Sequence, residues 1–473
     1  MLSNSSPKWG FHLGLQPAPA WLAILTLIIF SALCLLIHAG SLFRIAFPVG
    51  SVAVGVFLYW RYPILYLGFT WWLWFLSPLL ARLADYQSGF DEKGRQLIIV
   101  APYLVTMLTF PTFLRHLPKA HRQGGLPFVL AFIGVFYSFL IALSHRFSGS
   151  GSASYSITNI GVALLSWLPS IFFGFHLFVN WRDYLSYRQN IQRTFCWGVL
   201  VMGVYGVVQY LVAPEWDRIW LRNSEDLQLC CGWPEPLMLR VWSTLNYPFT
   251  FAFFMMAALL VLLSSQETLR VPAAVAGYLA FLLAVVRSAW VGWFVGFLTF
   301  ATSVKPQLQR RLLVTILVIG VSIFPLTSIP QFSEVINSRF QSFSNLKKDH
   351  SVDERADIYA ELLDSTLSEG LGKGLGGSKI VDAGILDILS TLGWLGIIPY
   401  VSGIVLLLFN LFQYAEVRFD SFMNAARAII ISTLVTLPAN NTLILLPGVV
   451  FWGFAGMGMA AHKYYCHQRT IAK

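Results

Sequence analysis

The stretch WLAILTLIIFSALCLLIH, Trp21 to His38, decides the fold. It carries no Asp, Glu, Lys or Arg, and an apolar helix of this length matches a hydrocarbon layer of roughly 30 Å. Similar stretches follow along the whole chain, beginning near Ile45, Pro63, Gln96, Gly125, Ile160, Thr194, Tyr247, Val271, Ser288, Leu312, Leu392, Ala425 and Leu443. Ile45 to Trp60 and Ser288 to Val304 are short for a full crossing, so the expected number of spans is 12 to 14. The 473 residues are 56% hydrophobic and 11% charged, more apolar surface than one soluble core can hide. The expected fold class is therefore all-α: a polytopic transmembrane helical bundle with a large extracytoplasmic loop containing short helices.

Charge sets the expected orientation. With a cytoplasmic N-terminus, the loops on the cytoplasmic side hold sixteen Lys and Arg against four Asp and Glu, and the other side holds fifteen against eighteen. That asymmetry follows the positive-inside rule, so the net charge of +10 is a topology signal and not a nucleic-acid footprint. The expected organisation is a cytoplasmic tail (1–20), an N-terminal bundle (21–212), a first outer loop (213–246), further spans (247–326), a large outer loop (327–390), C-terminal spans (391–461) and a cytoplasmic tail (462–473). No cleavable leader is expected, because Trp21 to His38 reads as a retained first span. Both termini are expected to be cytoplasmic. The two long outer loops make the extracytoplasmic face the expected working surface, and the sequence shows no internal repeat suggesting an inverted-repeat transporter.

Five cysteines form no framework: Cys34 and Cys196 fall in spans, Cys466 is in the tail, and Cys230 and Cys231 are neighbours, too close for an ordinary disulfide. With no His/Cys cluster and no convincing carboxylate spacing, neither a metal nor a cofactor is expected.

SEGLGKGLGGSK, Ser368 to Lys379, satisfies G-x-G-x-x-G at Gly372, Gly374 and Gly377. A dinucleotide site needs a strand before the glycines and a helix after them. Here a helix comes first: Ile358, Leu362, Leu363 and Leu367 share a face at helical spacing, and the glycines end it. A phosphate loop fails as well, because Gly377 is followed by Ser378 and Lys379 in the wrong order. The stretch reads as a helix stop and turn.

Its surroundings carry a resemblance. NSRFQSFSNLKKDHSVDERADIYAELLDSTLSEGLGKGLG followed by DAGILDILSTLGWLGIIPY resembles the large periplasmic loop and next span of the O-antigen ligase and polymerase family. The matching parts are Arg355 opening a helix, the Gly-x-Gly-x-Gly turn of Gly372 to Gly376, and the G-x-x-G of Gly393 and Gly396. RVWSTLNYPFTFA from Arg240 and VRSAWVGWFVGFL around Arg287 extend it over roughly residues 212–461. The resemblance implies a metal-independent glycosyltransferase of a bacterial inner membrane. It would polymerise or ligate a polyprenyl-diphosphate-linked glycan, O-antigen or exopolysaccharide, onto a glycan or lipid acceptor outside the cytoplasm. Implied partners are membrane lipids and a flippase or chain-length regulator.

Under that reading Arg240, Arg287 and Arg355 hold the diphosphate, since a guanidinium donates bidentate hydrogen bonds to phosphate and stays charged. They would neutralise charge developing on the leaving group. Arg339 and His350 are further candidates for substrate contact. Where ligase members carry a His before the G-x-x-G, this chain has Asp382. Two readings of Asp382 stand together: a helix N-cap, and a group that activates or orients the acceptor hydroxyl. The plainer reading of the arginines is snorkelling or salt-bridged residues at the interface. Asp217 is expected to pair locally with Arg218. Trp71, Trp72 and Trp74 read as packing, whereas Trp216, Trp220, Trp233 and Trp242 are candidates for stacking on sugars. The alternative of another class is a transporter for a small anion or a lipid-linked sugar, which would place ionisable groups near the midplane; here only Arg427 sits deeper by sequence.

Overall fold

The structure, a computed structural model, describes residues 17–148, 155–224, 230–303, 370–377, 383–413 and 420–472, with positions 309, 359, 363 and 367. Arg339, His350, Arg355, Asp382 and the apolar stretch beginning near Leu312 lie outside the described residues.

The described chain is helical, apart from one isolated antiparallel bridge between Gly232 and Leu239. Seven long crossings come first: α1 (Ala18–Leu36), α2 (Gly40–Arg61), α3 (Pro63–Ser88), α4 (Glu92–Met107) continued by α5 (Phe110–His116) and α6 (Ala120–Gln123), α7 (Leu126–Phe147), α8 (Ile157–Val179) and α9 (Tyr184–Val212). The surface helix α10 (Glu215–Arg222) precedes two shorter apolar helices, α11 (Pro248–Ser264) and α12 (Arg270–Leu283), and a third short helix, α13 (Arg287–Ser303). Three long ones close the order: α14 (Gly384–Phe412), α15 (Ser421–Thr436) with its following turn, and α16 (Leu445–Ala472). Ten of these segments are long and apolar enough to cross a membrane, and the protein is a multi-pass helical membrane protein. The short stretch at Ile45 proves to be a full helix, because Gly40 to Arg44 add a turn at its start.

Local chemistry explains several boundaries. Pro63, Pro127 and Pro248 occupy first turns, where a missing N–H costs nothing and the fixed φ favours helix. Asp420 caps α15 by accepting from Phe422 N and Met423 N, and Ser156 caps α8 by accepting from Asn159 N. Pairing of helices follows small residues: Gly174 of α8 meets Gly456 of α16 backbone to backbone, so these two helices lie close together along the bundle. α7 runs along α14, α9 along α12, and α13 along α15. The aromatic cluster behaves as expected of packing: Trp71 stands edge-on to Phe195 and Phe173, and Trp74 donates to Thr106. Leu22, Ile28, Ile29 and Leu33 of α1 stay exposed, as lipid-facing side chains do.

Ion pairs sort the bundle into two faces. Arg44 with Asp85 and Asp91, Arg82 with Asp217, and Glu215 with Arg218 and Arg222 join residues of the face that bears the long loops. Arg188 and Asp420 meet at the opposite face, where Tyr184 and Tyr465 also donate to Asp420. Among the described residues, no ion pair joins the two faces.

Candidate functional site

The loop face gathers three structures. The first is the turn between α12 and α13, Ala284 to Val286. Arg240 reaches it from the first outer loop, donating through Nε to Ala284 O at 3.2 Å and through Nη2 to Val285 O at 2.8 Å. Its Nη1 donates to Cys230 O at 2.9 Å. Arg287 opens α13 two residues beyond Val285. The structure thus brings Arg240 to the turn that Arg287 follows, and shows Arg240 bracing its backbone. The three carbonyl contacts fix the orientation of its guanidinium at this turn.

Strain is concentrated there. Val285 has φ of 55°, an outlying conformation for a β-branched residue. Ala213, Leu237 and Ser243, all in the first outer loop, have φ of 48°, 64° and 52°. Such residues cost on the order of 1–3 kcal/mol each and persist only where surrounding contacts over-determine them. Ser243 shows how: its N–H donates to Gln209 Oε1 at 2.7 Å, its hydroxyl to Met202 O at 2.6 Å, and its carbonyl accepts from Arg82 at 2.6 Å.

Beneath that loop lies a buried polar network which sequence reading missed. Asp217 does not pair with Arg218, which bonds Glu215 instead. It approaches Arg82 of α3 to 2.7 Å, with both side chains fully buried. The two contacting atoms are not aligned as a hydrogen bond, so the contact is one of charge. The other oxygen of Asp217 accepts from Tyr205 and from Gln209, each at 2.8 Å. Adjacent helix residues diverge by about 100°, which is why Asp217 and Arg218 serve different partners. The signal for this network was available: Arg82 and Asp85 interrupt an apolar span, where charge is costly.

The second structure is the glycine turn. Gly372, Gly374 and Gly376 have φ of 78°, 76° and 82°. The conformation thus follows the Gly-x-Gly-x-Gly alternation, and Gly377 is not part of it. Among the described residues, the turn's backbone is packed against helices. Lys373 N donates to Ser390 O at 2.8 Å, Leu375 N to Ser138 O at 3.3 Å, and Tyr155 Oη to Lys373 O at 3.0 Å. A Cβ on Gly374 would lie 2.6 Å from Ala142 N, so α7 leaves room for hydrogen only. Gly393 interrupts α14 with φ of 64°, and Gly372 and Leu371 fill the notch it makes. Tyr359, Leu363 and Leu367 are helical positions ahead of the turn, in keeping with the expected incoming helix.

The third is the first turn of α14. Asp387 is buried and accepts from Asn441 Nδ2 at 2.8 Å, and Gly384 abuts Leu437 and Asn440 of the connection between α15 and α16. Tyr359 of the large loop donates to Pro438 O at 2.9 Å, so that loop rests on the same connection. Asp387 is a functional candidate that the sequence reading missed; its signal is that it is the one acid in the run GILDILSTL.

Among the tryptophans, Trp220 and Trp242 are buried and packed on each other at 5.4 Å, so neither offers a face to a sugar. Trp216 donates to Tyr205 Oη at 2.6 Å, and Trp233 is 66% exposed. No family model matches the chain, and no curated protein matches it.

Proposed function

We propose that the chain is a membrane glycosyltransferase that polymerises or ligates a polyprenyl-diphosphate-linked glycan at the loop face, which we assign to the extracytoplasmic side of a bacterial inner membrane. The observation that carries this reading is the convergence of Arg240 and Arg287 on the strained Ala284–Val286 turn. Two permanent cations at the outer end of two spans suit the diphosphate of a lipid whose tail stays in the bilayer. Arg240 is pre-oriented by its carbonyl contacts, so little rotamer entropy is lost when an anion arrives. Arg355 would complete the cluster from the large loop, and Asp382 would activate or orient the acceptor hydroxyl at the start of α14. The buried Asp387 would set the position of that helix through Asn441.

The transporter alternative draws less support. Arg427, the deepest cation by sequence, is the seventh residue of α15 and donates to Leu411 O at 2.8 Å, so it ties the last turn of α14 near the opposite face. The centre of the bundle is filled by Trp71, Phe195, Phe254 and Phe454 packed ring to ring.

The deciding experiment complements a deletion strain with the wild-type chain, Arg287→Lys or Arg287→Gln at matched membrane levels, and analyses surface and secreted glycan. Restoration of long chains by wild type alone supports the reading. Unchanged glycan in the deletion strain, with altered anion uptake, replaces it with transport.

A further inference from the structure

Cys230 and Cys231 are too close in sequence for an ordinary disulfide, yet the fold brings their sulfurs to 3.0 Å and ties both residues to Arg240. We propose that Cys230 and Cys231 form a redox modification site that closes to a vicinal disulfide and shifts the peptide plane holding Arg240.

Both are thiols here, Cys231 buried and Cys230 partly exposed. A disulfide bond is about 2.05 Å long, so the sulfurs at 3.0 Å need to approach by about 1 Å. Neighbouring Cα atoms are held about 3.8 Å apart across a trans peptide, below the usual disulfide span of about 4.4–6.8 Å. The closed ring is strained, and strained disulfides are the labile, reversible ones. Gly232, at φ of 83°, follows immediately and takes up backbone rotation that another residue would resist.

The exchange balances with a disulfide-bearing oxidant of the compartment. The Cys230 thiolate attacks one sulfur of that disulfide and displaces the first thiolate. The Cys231 sulfur then attacks Cys230 Sγ and displaces the second. Two electrons pass to the oxidant, which leaves as a dithiol carrying the two thiol protons. Cys230 is the attacking group because it is the partly exposed one. The hydrogen bond in which the Cys231 thiol donates to Cys230 Sγ, together with burial, pushes the Cys231 thiol above its ordinary range.

The ring contains the carbonyl carbon of Cys230, and the oxygen on that carbon accepts Arg240 Nη1. Arg240 N also donates to Cys231 O at 2.8 Å. Closing the ring therefore redirects an acceptor of the guanidinium and loosens the amide bond beside it. This inference rests on the proposed function only for its compartment, since disulfides persist outside the cytoplasm.

The test uses the full chain from native membranes, alkylated during lysis, solubilised in detergent and digested. The expected Cys230–Cys231 peptide is two hydrogens lighter than the dithiol, unlabelled, and accepts two labels after reduction. Two labels without reduction, or a cross-link from either cysteine to another chain, overturn the proposal. Hydrogen exchange at the Arg240 amide checks the coupling: oxidation should speed it about tenfold in wild type and not in Cys230→Ser. Equal exchange in both redox states overturns the coupling to Arg240. An oxidised pair in a chain without effect on glycan would keep this site and discard the glycosyltransferase reading; a dithiol in an active chain would do the reverse.

Discussion

Arg82 of α3 and Asp217 of α10, 135 positions apart, meet at 2.7 Å with neither side chain reaching solvent. Removing one partner of such a pair strands a buried charge, at about 3–5 kcal/mol, while replacing both with apolar residues is often near neutral. Asp217→Ala should accordingly lower the detergent-solubilised melting temperature more than the double change Arg82→Met with Asp217→Leu. A double variant as unstable as the single would show that packing, not charge, holds α10 in place.

Gly374 and Gly370 offer a matched pair. Alanine at Gly374 meets Ala142 N and takes an unfavourable φ, a cost of about 1–3 kcal/mol for the backbone alone, whereas nothing lies within 4 Å of a Cβ on Gly370. Gly374→Ala should release the turn from α7 and raise protease cleavage of the large loop; Gly370→Ala should leave it unchanged. Equal cleavage of both variants would refute the docking argument.

Arginine-to-lysine changes separate bracing from chemistry. Lysine cannot reproduce the three carbonyl contacts of Arg240, so Arg240→Lys should lose on the order of 1–3 kcal/mol of stability. Arg287→Lys, compared at matched membrane levels, should lose glycan assembly by tenfold or more, about 1.4 kcal/mol in the barrier. Thermal melts read beside glycan length distinguish the two, and an active Arg287→Lys would remove Arg287 from the site.

Lys93 and Arg122 lie at opposite ends of the α4 to α6 crossing, and both are exposed. With Cys230 and Cys466 replaced by Ser, a membrane-impermeant maleimide added to intact cells should label Lys93→Cys and spare Arg122→Cys. The reverse pattern would invert the assigned orientation.

The spans were legible because apolar length and first-turn prolines such as Pro63 and Pro248 act locally. Thirteen of the fourteen stretches coincide with helices, and the one near Leu312 lies outside the described residues. The glycine turn was legible as a turn, since alternate glycines state their own φ requirement. Asp217 was misread because its partner is brought by the packing of α3 against α10, which no local spacing encodes. The burial of Trp220 and Trp242 was hidden for the same reason: an aromatic in an outer loop looks the same in sequence whether it faces sugar or another ring.

The notch at Gly393 joins two parts of the chain that topology would separate. Lys373 and Gly370 are bonded to backbone on either side of it, at Ser390 and Trp394. The end of the large loop and the bent span are therefore clamped together on both sides of Gly393. Lifting the loop end would therefore pull on the backbone at both sides of the bend, and through it on the first turns of α14 that carry Asp387, a mechanical link made without side chains.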